Sequence, residues 1–512
     1  MASASTIRRK ARKNICMGAY SLKLASVSES TLDPQCSTYT SSGCIFFVHD
    51  AQASLILSPP LMSETVELKN AETIPRLDTA SVHGVESLPG QLYKHGDSQS
   101  TEQENRQTSS KKQATTSWIQ FATLCWCFFL TGWNDGTTGP LLPRIQEVYN
   151  LDFAVVSLIF VFSCVGFIGG ALINVPFSGK LGFGKVIVLG SMLQVIAYAL
   201  QASAPPFPVF VIAYVINGVG IAMQDAQANG YVASIQEGAE TKMGILHAAY
   251  GLGAFVAPLV ATQFAQIERW SFHYLVSLGI ALSNLVALAV VFRLKGQDEC
   301  LIATGQLVGE KDSSKPTDFR QILSQKTVHF LAFFAFFYVG VEVTLGGWIV
   351  TFIINVRHGG PSSGYISSGF YGGLTIGRVA LLWVNKKIGE RRVLYLYTFL
   401  AIGLQLVIWL VPSVIGDAVA ASLLGVLLGP FYPIAMNHAG RIIPRWLLAG
   451  SIGWIAGFGT AGAAVVPFMT GALSSKYGIQ SLQPLLVVLM ILMIILWALV
   501  PRAQRKGDQS TS

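Results

Sequence analysis

The sequence predicts an all-α integral membrane protein with twelve transmembrane helices in two six-helix bundles. Three observations lead to this fold class. First, the 512-residue chain is 52% hydrophobic and only 12% charged, whereas soluble globular proteins carry about 25% charged residues. Second, apolar runs of roughly 18–25 residues repeat from Trp118 onward, and each is long enough to cross a bilayer as a helix. Third, two short motifs recur in the second half of the chain.

Residues 1–115 differ in composition from the rest of the chain. They are rich in Ser, Thr and Gln, and the stretch 95–113, "HGDSQSTEQENRQTSSKKQ", has too few apolar residues to form a core. We therefore expect a disordered cytosolic tail. The first stretch, "MASASTIRRKARKN", has the composition of a transit peptide. A flexible extension is favoured because about 80 further polar residues precede the first span.

Twelve apolar runs follow this tail, with one longer polar connection, 295–326, after the sixth. The expected organisation is a six-helix bundle at 116–294, a cytosolic central loop at 295–326, a second bundle at 327–501 and a cytosolic tail at 502–512. The predicted spans are 117–139, 152–177, 186–203, 207–230, 243–265, 271–294, 327–353, 363–385, 393–412, 415–437, 449–473 and 481–500.

The basic residues between the spans are distributed unequally, and positive charge is enriched on the cytosolic side of membrane proteins. We therefore expect both chain termini in the cytosol. The side predicted to be cytosolic holds Lys180, Lys185, Lys242, Lys386, Lys387, Arg391, Arg392, Arg441, Arg445, Arg502, Arg505 and Lys506. The opposite side holds Arg144, Arg269, Arg357 and Lys476.

Two motifs indicate that the halves are related by duplication. "GFIGG" at 166–170 recurs as "GFYGG" at 369–373, an offset of 369 − 166 = 203. "GAFVAP" at 253–258 recurs as "GAAVVP" at 462–467, an offset of 462 − 253 = 209. Two matches in chain order at similar offsets predict a repeated six-helix unit, as in many secondary transporters.

Three carboxylates fall inside predicted spans: Asp135, Asp225 and Glu342. Asp135 and Glu342 are separated by 342 − 135 = 207 residues, close to the repeat offsets, so we expect them at equivalent positions. A carboxylate inside a membrane costs about 2.5–3.5 kcal/mol on insertion scales, and such residues usually face a wet cavity or a partner. We therefore expect these acids to line a solute pathway.

Further polar residues are candidates for the same pathway. Asp225 and Asn229 share a helix face because they are four residues apart, and a face of acids and amides suits a sugar or similar polyol. Packing of this polar patch against a neighbouring helix is the alternative. Arg378 is expected to reach the headgroups or to form an ion pair near a gate. The other candidates for solute binding are Asn134, Gln224, His247, Tyr250, Trp348 and Asn437.

The layout and four motifs resemble the major facilitator superfamily, and within it most closely the fucose–proton symporter branch and its fungal relatives. The resemblance covers residues 117–500. It implies that acids of the first and fourth helices, here Asp135 and Asp225, act in sugar recognition and proton coupling. The loop "SGKLGFGK" departs from the family pattern in lacking its acid. The motifs are "WNDGTTGPLLPRIQEVYNL", "GIAMQDAQANGYV", "LHAAYGLGAFVAP" and "YVGVEVTLGGW".

These observations predict a proton-coupled secondary transporter of a sugar or related polar solute, working by alternating access. An uncoupled facilitator and a non-transporting sensor are the alternatives. An enzyme is not expected, because the chain has no phosphate-binding loop, nucleophile elbow or metal-ligand spacing. We expect no cofactor or metal, no nucleic-acid partner, a monomer, and the plasma membrane as location, since no retention signal is present.

Overall fold

The computed structural model describes residues 96–236, 238–306 and 319–502, and all regular secondary structure within them is helical. The α-helices of the first half are α1 (Gly96–Val148), α2 (Phe153–Val156), α3 (Leu158–Leu181), α4 (Phe183–Ala202), α5 (Phe207–Ala233), α6 (Ala239–Ala265), α7 (His273–Phe292) and α8 (Gln297–Ala303). Those of the second half are α9 (Phe319–Ser324), α10 (Lys326–Arg357), α11 (Tyr365–Ala380), α12 (Leu382–Ile388), α13 (Glu390–Leu410), α14 (Val414–Leu428), α15 (Phe431–Ile442), α16 (Arg445–Tyr477) and α17 (Leu482–Leu499). Short 3₁₀ turns occupy Trp270–Phe272, Pro361–Gly364 and Ile479–Ser481.

Ten helical segments of the described residues are long and apolar enough to cross a membrane. The other two predicted spans are helical as well. The span 117–139 lies within α1, and the span 363–385 comprises α11 and α12, which meet at Leu381. The prediction of an all-α membrane protein with twelve spans is therefore confirmed.

The helix of the first span begins earlier than the sequence predicted. α1 starts at Gly96, so residues 96–115 of the expected disordered tail are helical; residues 1–95 lie outside the described part. The physical reason is that extending a helix is far easier than nucleating one. The apolar span supplies the nucleus, and the polar Gln, Glu and Lys residues before it are good helix formers.

Helix packing repeats in the two halves. α1 packs on α6 as α10 packs on α16, and α3 packs on α5 as α11 packs on α14. A side chain at Gly166 would collide with the backbone of Val215, and one at Gly373 would collide with that of Ser422. Each residue of the second contact follows its counterpart in the first by 207 positions (373 − 166 and 422 − 215). The sequence match of Gly166 to Gly369 is therefore one helical turn out of register.

The halves meet through α1 against α10, and through two symmetric contacts, α3 against α16 and α6 against α11. The term upper end is used for the end of the bundle at which α1 and α10 terminate. The term lower end is used for the end at which α5 and α17 terminate. At the upper end, the Ala154 amide donates to Ser475 Oγ at 2.8 Å. The Gln266 side chain also donates to the Pro361 carbonyl at 3.2 Å. These bonds, together with the close approach of Gly139 to the carbonyl of Gly346, hold the two halves against each other at the upper end.

The first part of the predicted central loop is docked against the lower end of the first half. The amide of Gly184 donates a 2.9 Å hydrogen bond to the carbonyl of Lys295. Cys300 and Leu301 of α8 are buried in a hydrophobic cluster that also contains Phe183. The loop whose family-typical acid is missing, "SGKLGFGK", is thus held by the backbone and by apolar packing.

Candidate functional site

A cavity lies between the halves, below their contacts at the upper end. Helices α1, α3, α5 and α6 line it on one side and α10, α11, α15 and α16 on the other. It contains about 1460 Å³ of space, open solvent at its mouth included. Because the halves are in contact at the upper end, we infer that the cavity opens toward the lower end. Six of the ten predicted site residues line it: Asn134, Asp135, Asp225, His247, Tyr250 and Glu342.

Asp135 is the centre of a hydrogen-bonded chain on the first half. Its carboxylate is exposed to the cavity, where the Tyr250 hydroxyl donates to Oδ2 at 2.7 Å and Asn134 Nδ2 donates to Oδ1 at 3.2 Å. The Oδ1 atom of Asn134 in turn accepts from Asn217 at 2.5 Å and from the Tyr198 hydroxyl at 3.4 Å. Asn134 is therefore held in one orientation, with its amide group directed at the acid.

Asp225 lies deeper in the wall than Asp135. It is only 7% exposed, and the hydroxyl of Thr131 approaches its Oδ1 atom at 3.5 Å. His247, 5% exposed, lines the same side of the cavity and packs edge-on against the ring of Phe128, with centroids 5.3 Å apart. The first half therefore contributes two carboxylates, one exposed and one buried, to a single cavity.

The second half contributes a carboxylate paired with a cation. Arg378 Nη2 lies 3.7 Å from Glu342 Oε1, and the two side chains are only 10% and 12% exposed. Tyr338 lies beside both charges, and Tyr371 donates across the interface to the backbone carbonyl of Asp135 at 3.5 Å. Arg378 does form an ion pair, as the sequence allowed, but within the cavity wall.

Gln224 was predicted to bind solute, yet it does not line the cavity. Its side chain points into the first half, where Asn284 Nδ2 and Cys127 Sγ donate to its Oε1 at 2.8 and 2.7 Å and its Nε2 donates to Gln194. Adjacent residues on a helix point about 100° apart. Asp225 can therefore face the cavity only while Gln224 faces the neighbouring helices.

Three further predicted residues also lie outside the cavity. Trp348 is fully buried, and its Nε1 donates to the carbonyl of Pro467 at 3.1 Å. Asn437 donates to Glu390 Oε1 at 3.3 Å near the lower end. Asn229 is 6% exposed and is not among the lining residues. In this conformation packing between helices accounts for the positions of all three.

Sequence reasoning missed the tyrosines of the second half. Tyr338, Tyr371 and Tyr432 all line the cavity, but aromatic residues in an apolar span are usually read as packing. Their spacing from charged residues on the same helix could have identified them from the sequence. Tyr338 lies four residues before Glu342, and Tyr371 lies seven before Arg378, so each pair shares one helix face.

Residues 124–421, more than half of the chain, match the family model described as the Major Facilitator Superfamily. The chain belongs to this family. The resemblance inferred from the motifs is therefore confirmed, and the chain is a multi-pass membrane transport protein rather than an enzyme.

Curated relatives resemble the chain over most of their own length, and a solved structure has the same fold. Bypass of stop codon protein 6 of Saccharomyces cerevisiae is 25% identical over 402 residues, which is 73% of this chain and 81% of that protein. The glucose/mannose transporter GlcP of Bacillus subtilis is 23% identical over 344 residues, 67% of this chain and 85% of that protein. The crystal structure of the E. coli fucose:proton symporter superposes with a TM-score of 0.51 at 18% identity, covering 75% of this chain and 99% of that one.

Proposed function

We propose that this superfamily member carries a sugar or related small polar solute across the membrane together with protons, by alternating access of its two halves. One observation supports this above all. An exposed carboxylate, Asp135, sits in a cavity at the junction of the halves and receives a 2.7 Å hydrogen bond from Tyr250. A transporter that alternates access needs its binding groups at this junction, where both halves can contact the solute.

The chemistry of the lining supports a polyol as solute. Asp135 accepts hydrogen bonds, Asn134 supplies both a donor and an acceptor, and tyrosine hydroxyls can do either. Paired sugar hydroxyls are complementary to such a set. Tyrosine rings give flat apolar faces for a pyranose ring. The names of the relatives, a glucose/mannose transporter and a fucose:proton symporter, point to the same solute class.

We assign proton coupling to Asp135 and Asp225. Removing a carboxylate from water disfavours its charged form, so an acid in a closing cavity takes up a proton and releases it when solvated again. Proton and solute would enter with the upper end open. The conformation described, in which the halves are in contact at the upper end, would release both. A membrane potential adds about 2.3 kcal/mol per proton for each 100 mV, which is sufficient to drive accumulation.

The direction of transport follows from the orientation. The basic residues predicted to be cytosolic, such as Lys387 and Arg391, lie at the lower end, so this end is assigned to the cytosol and the upper end to the exterior. Uptake into the cell is then the expected direction. Location in the plasma membrane, cytosolic termini and a monomeric state remain predictions of the sequence.

The test is uptake into proteoliposomes containing the purified full chain. Labelled hexoses, deoxyhexoses and pentoses are offered with and without an inward proton gradient, and Asp225→Asn is measured beside the parent. We expect one sugar to accumulate only with the gradient, and the variant to lose accumulation while still exchanging sugar at equilibrium. Gradient-independent uptake that stops at equal concentrations would instead establish a facilitator. Absence of transport across the panel, with function lost on deleting residues 1–115, would favour a sensor.

A further inference from the structure

A second cavity, here called the outer cavity, lies at the upper end. It contains about 1070 Å³ of space, open solvent at its mouth included, and a cavity of this order can hold a small molecule. The first half lines it with residues of the segments 140–147 and 262–266, at the ends of α1 and α6. The second half lines it with residues of 350–355 in α10 and of the loop 359–364. These segments follow Gly139 and Gly346, so the outer cavity lies on the far side of that contact from the solute cavity.

We propose that the outer cavity is an inhibitory binding site for an uncharged polyol, which holds the two halves together at the upper end when it binds. The inference rests on the alternating access proposed above, because such a site inhibits only a carrier whose upper end also opens. It concerns a position different from that of the solute cavity, and it assigns a role to residues that the transport step itself does not use.

The outer cavity depends on contact between the halves. The Gln266 side chain donates to the Pro361 carbonyl at 3.2 Å, and a side chain at Gly364 would collide with the hydroxyl of Thr262. Both contacts join α6 or its end to the loop 359–364, so opening the upper end separates the two lining surfaces. A ligand that contacts both surfaces binds the closed form alone, and it shifts the population toward that form. Bound there, it opposes loading of the carrier from the upper side.

The charges that line the outer cavity cancel. Among the described residues that line it, the charged ones are Arg144 and Glu147, and Arg144 Nη1 donates to Glu147 Oε2 at 2.7 Å. Removing an ionised ligand from water without an opposite charge to pair with is costly, whereas a neutral molecule that forms hydrogen bonds avoids this cost. An uncharged ligand is therefore favoured over an anion or a cation.

The polar groups of the outer cavity suit a ligand with several hydroxyls. The Nε atom of Arg144 is buried and has no hydrogen-bond partner in the described part of the chain, so a ligand oxygen can supply the missing acceptor. The exposed amides of Gln266 and Asn355 supply donors and acceptors from opposite halves, and a hydroxyl can pair with either. Pro143 and Val350 add apolar surface for the C–H groups of the ligand. A sugar or another polyol combines these features.

The experiment measures opening of the upper end by maleimide labelling of the full chain in detergent. Ser367→Cys is the reporter, because Ser367 is fully buried beside the contact of Gly139 with Gly346; the chain without it gives the background from native cysteines. Sucrose is the probe and gluconate is the anionic comparison. Trimethylamine N-oxide at equal osmolality corrects for the general effect of an excluded solute. Asn355→Leu removes an amide of the outer cavity, and Gln480→Leu is the matched control at an exposed position outside it.

Sucrose is expected to slow labelling beyond the effect of trimethylamine N-oxide, by about tenfold at about ten times its dissociation constant, because the form that reacts excludes the ligand. Gluconate should act more weakly than sucrose. Glu147→Gln leaves the cavity with a net positive charge and should reverse that order. Gln480→Leu should respond like the parent, and Asn355→Leu should lose most of the response. Asp135→Asn should keep it, because Asp135 belongs to the solute cavity.

Two results would overturn the inference: sucrose that slows labelling no more than trimethylamine N-oxide does, or an equal response to sucrose in Asn355→Leu and the parent. Thermal unfolding of the chain without the reporter cysteine is a second measurement, since a ligand of the folded protein raises its melting temperature. An equal rise in the parent and in Asn355→Leu would also contradict the outer site. Neither measurement needs transport. Absence of sugar uptake in proteoliposomes would refute the proposed function, and the labelling would still decide whether the outer cavity binds a polyol.

Discussion

The hydroxyl of Tyr250 in α6 donates a 2.7 Å hydrogen bond to the carboxylate of Asp135 in α1. These helices also make a close backbone approach at Gly132, where a side chain would collide with the carbonyl of Tyr250. The position of the tyrosine is therefore set by the packing of two helices. The proposed solute site and the packing of the first half therefore share this contact between α1 and α6.

Tyr250→Phe should weaken solute binding while leaving the fold intact. A hydrogen bond to a charged group contributes about 1.5–3 kcal/mol, so we expect KM for uptake to rise roughly tenfold or more. Tyr371→Phe is the matched control, because its hydroxyl makes a longer bond, 3.5 Å, to a backbone carbonyl. Equal effects of the two substitutions on KM would contradict the importance assigned to the Asp135 contact.

Gln224→Leu should destabilise the first half. In a buried site, the substitution removes the acceptor of Cys127 and the nearer of the two acceptors of Asn284, a loss of about 1–3 kcal/mol. The measurement is thermal unfolding of the purified protein in detergent. Gln480→Leu, at an exposed position of a 3₁₀ turn, should leave the melting temperature unchanged. An unaltered melting temperature in Gln224→Leu would mean that the hydrogen bonds of Gln224 contribute little to the stability of the first half.

Arg357→Leu should destabilise the second half more strongly. Its Nε donates to Asp417 Oδ2 at 3.0 Å, and Asp417 is fully buried. Breaking a buried pair at one partner costs about 3–5 kcal/mol, because the other charge stays uncompensated. Adding Asp417→Leu should restore most of the loss.

A surface ion pair provides the control for that experiment. Arg441 lies 2.8 Å from Glu390, but its side chain is 58% exposed. Such pairs contribute about 1 kcal/mol or less, so Arg441→Leu should shift unfolding only slightly. If the two arginine substitutions shifted unfolding equally, burial would not determine how much each ion pair contributes to stability.

Gly139→Ala should bias the protein toward an open upper end. A Cβ atom there would collide with the carbonyl of Gly346 across the interface, and overpacking costs about 1–3 kcal/mol. Cysteine introduced at Ser367, which is fully buried beside this contact, should react about tenfold faster with an impermeant maleimide. Gly169→Ala is the control, because nothing lies within 4 Å of its added Cβ. Identical labelling in both variants would exclude this contact as part of the seal.

Several features of the site could be read from sequence because they depend on composition within one helix. Asp135, Asp225 and Glu342 stand out in apolar spans whatever their neighbours are. The equivalence of Asp135 and Glu342 in the internal repeat followed from the offset between the two halves. Glycine contacts in the structure give the same offset, 207 residues. Glycine motifs fixed that register only to within a helical turn, because small residues recur along many spans.

Other features could not be read from one helix at a time. Gln224 and Asp225 are adjacent and similarly polar, and only the surrounding helices decide that one packs inside the bundle and the other faces the cavity. A surface helix of a soluble protein has one apolar and one polar face, which shows how it packs. A span that is apolar on every side has no such pattern, so its sequence does not show which face packs against other helices. Trp348 was therefore assigned to the pathway, although it packs against Pro467.

The sequence by itself determined that this chain is a twelve-span membrane protein with acids in its spans, since the bilayer sets helix length and penalises charge wherever the helices pack. Only the tertiary structure decided which polar residues share the cavity and that Arg378, 36 positions after Glu342, lies within ion-pair distance of it. The physical reason is that contacts between distant spans depend on how each helix is rotated about its axis. In a bilayer that rotation is set by close packing and hydrogen bonding between helices.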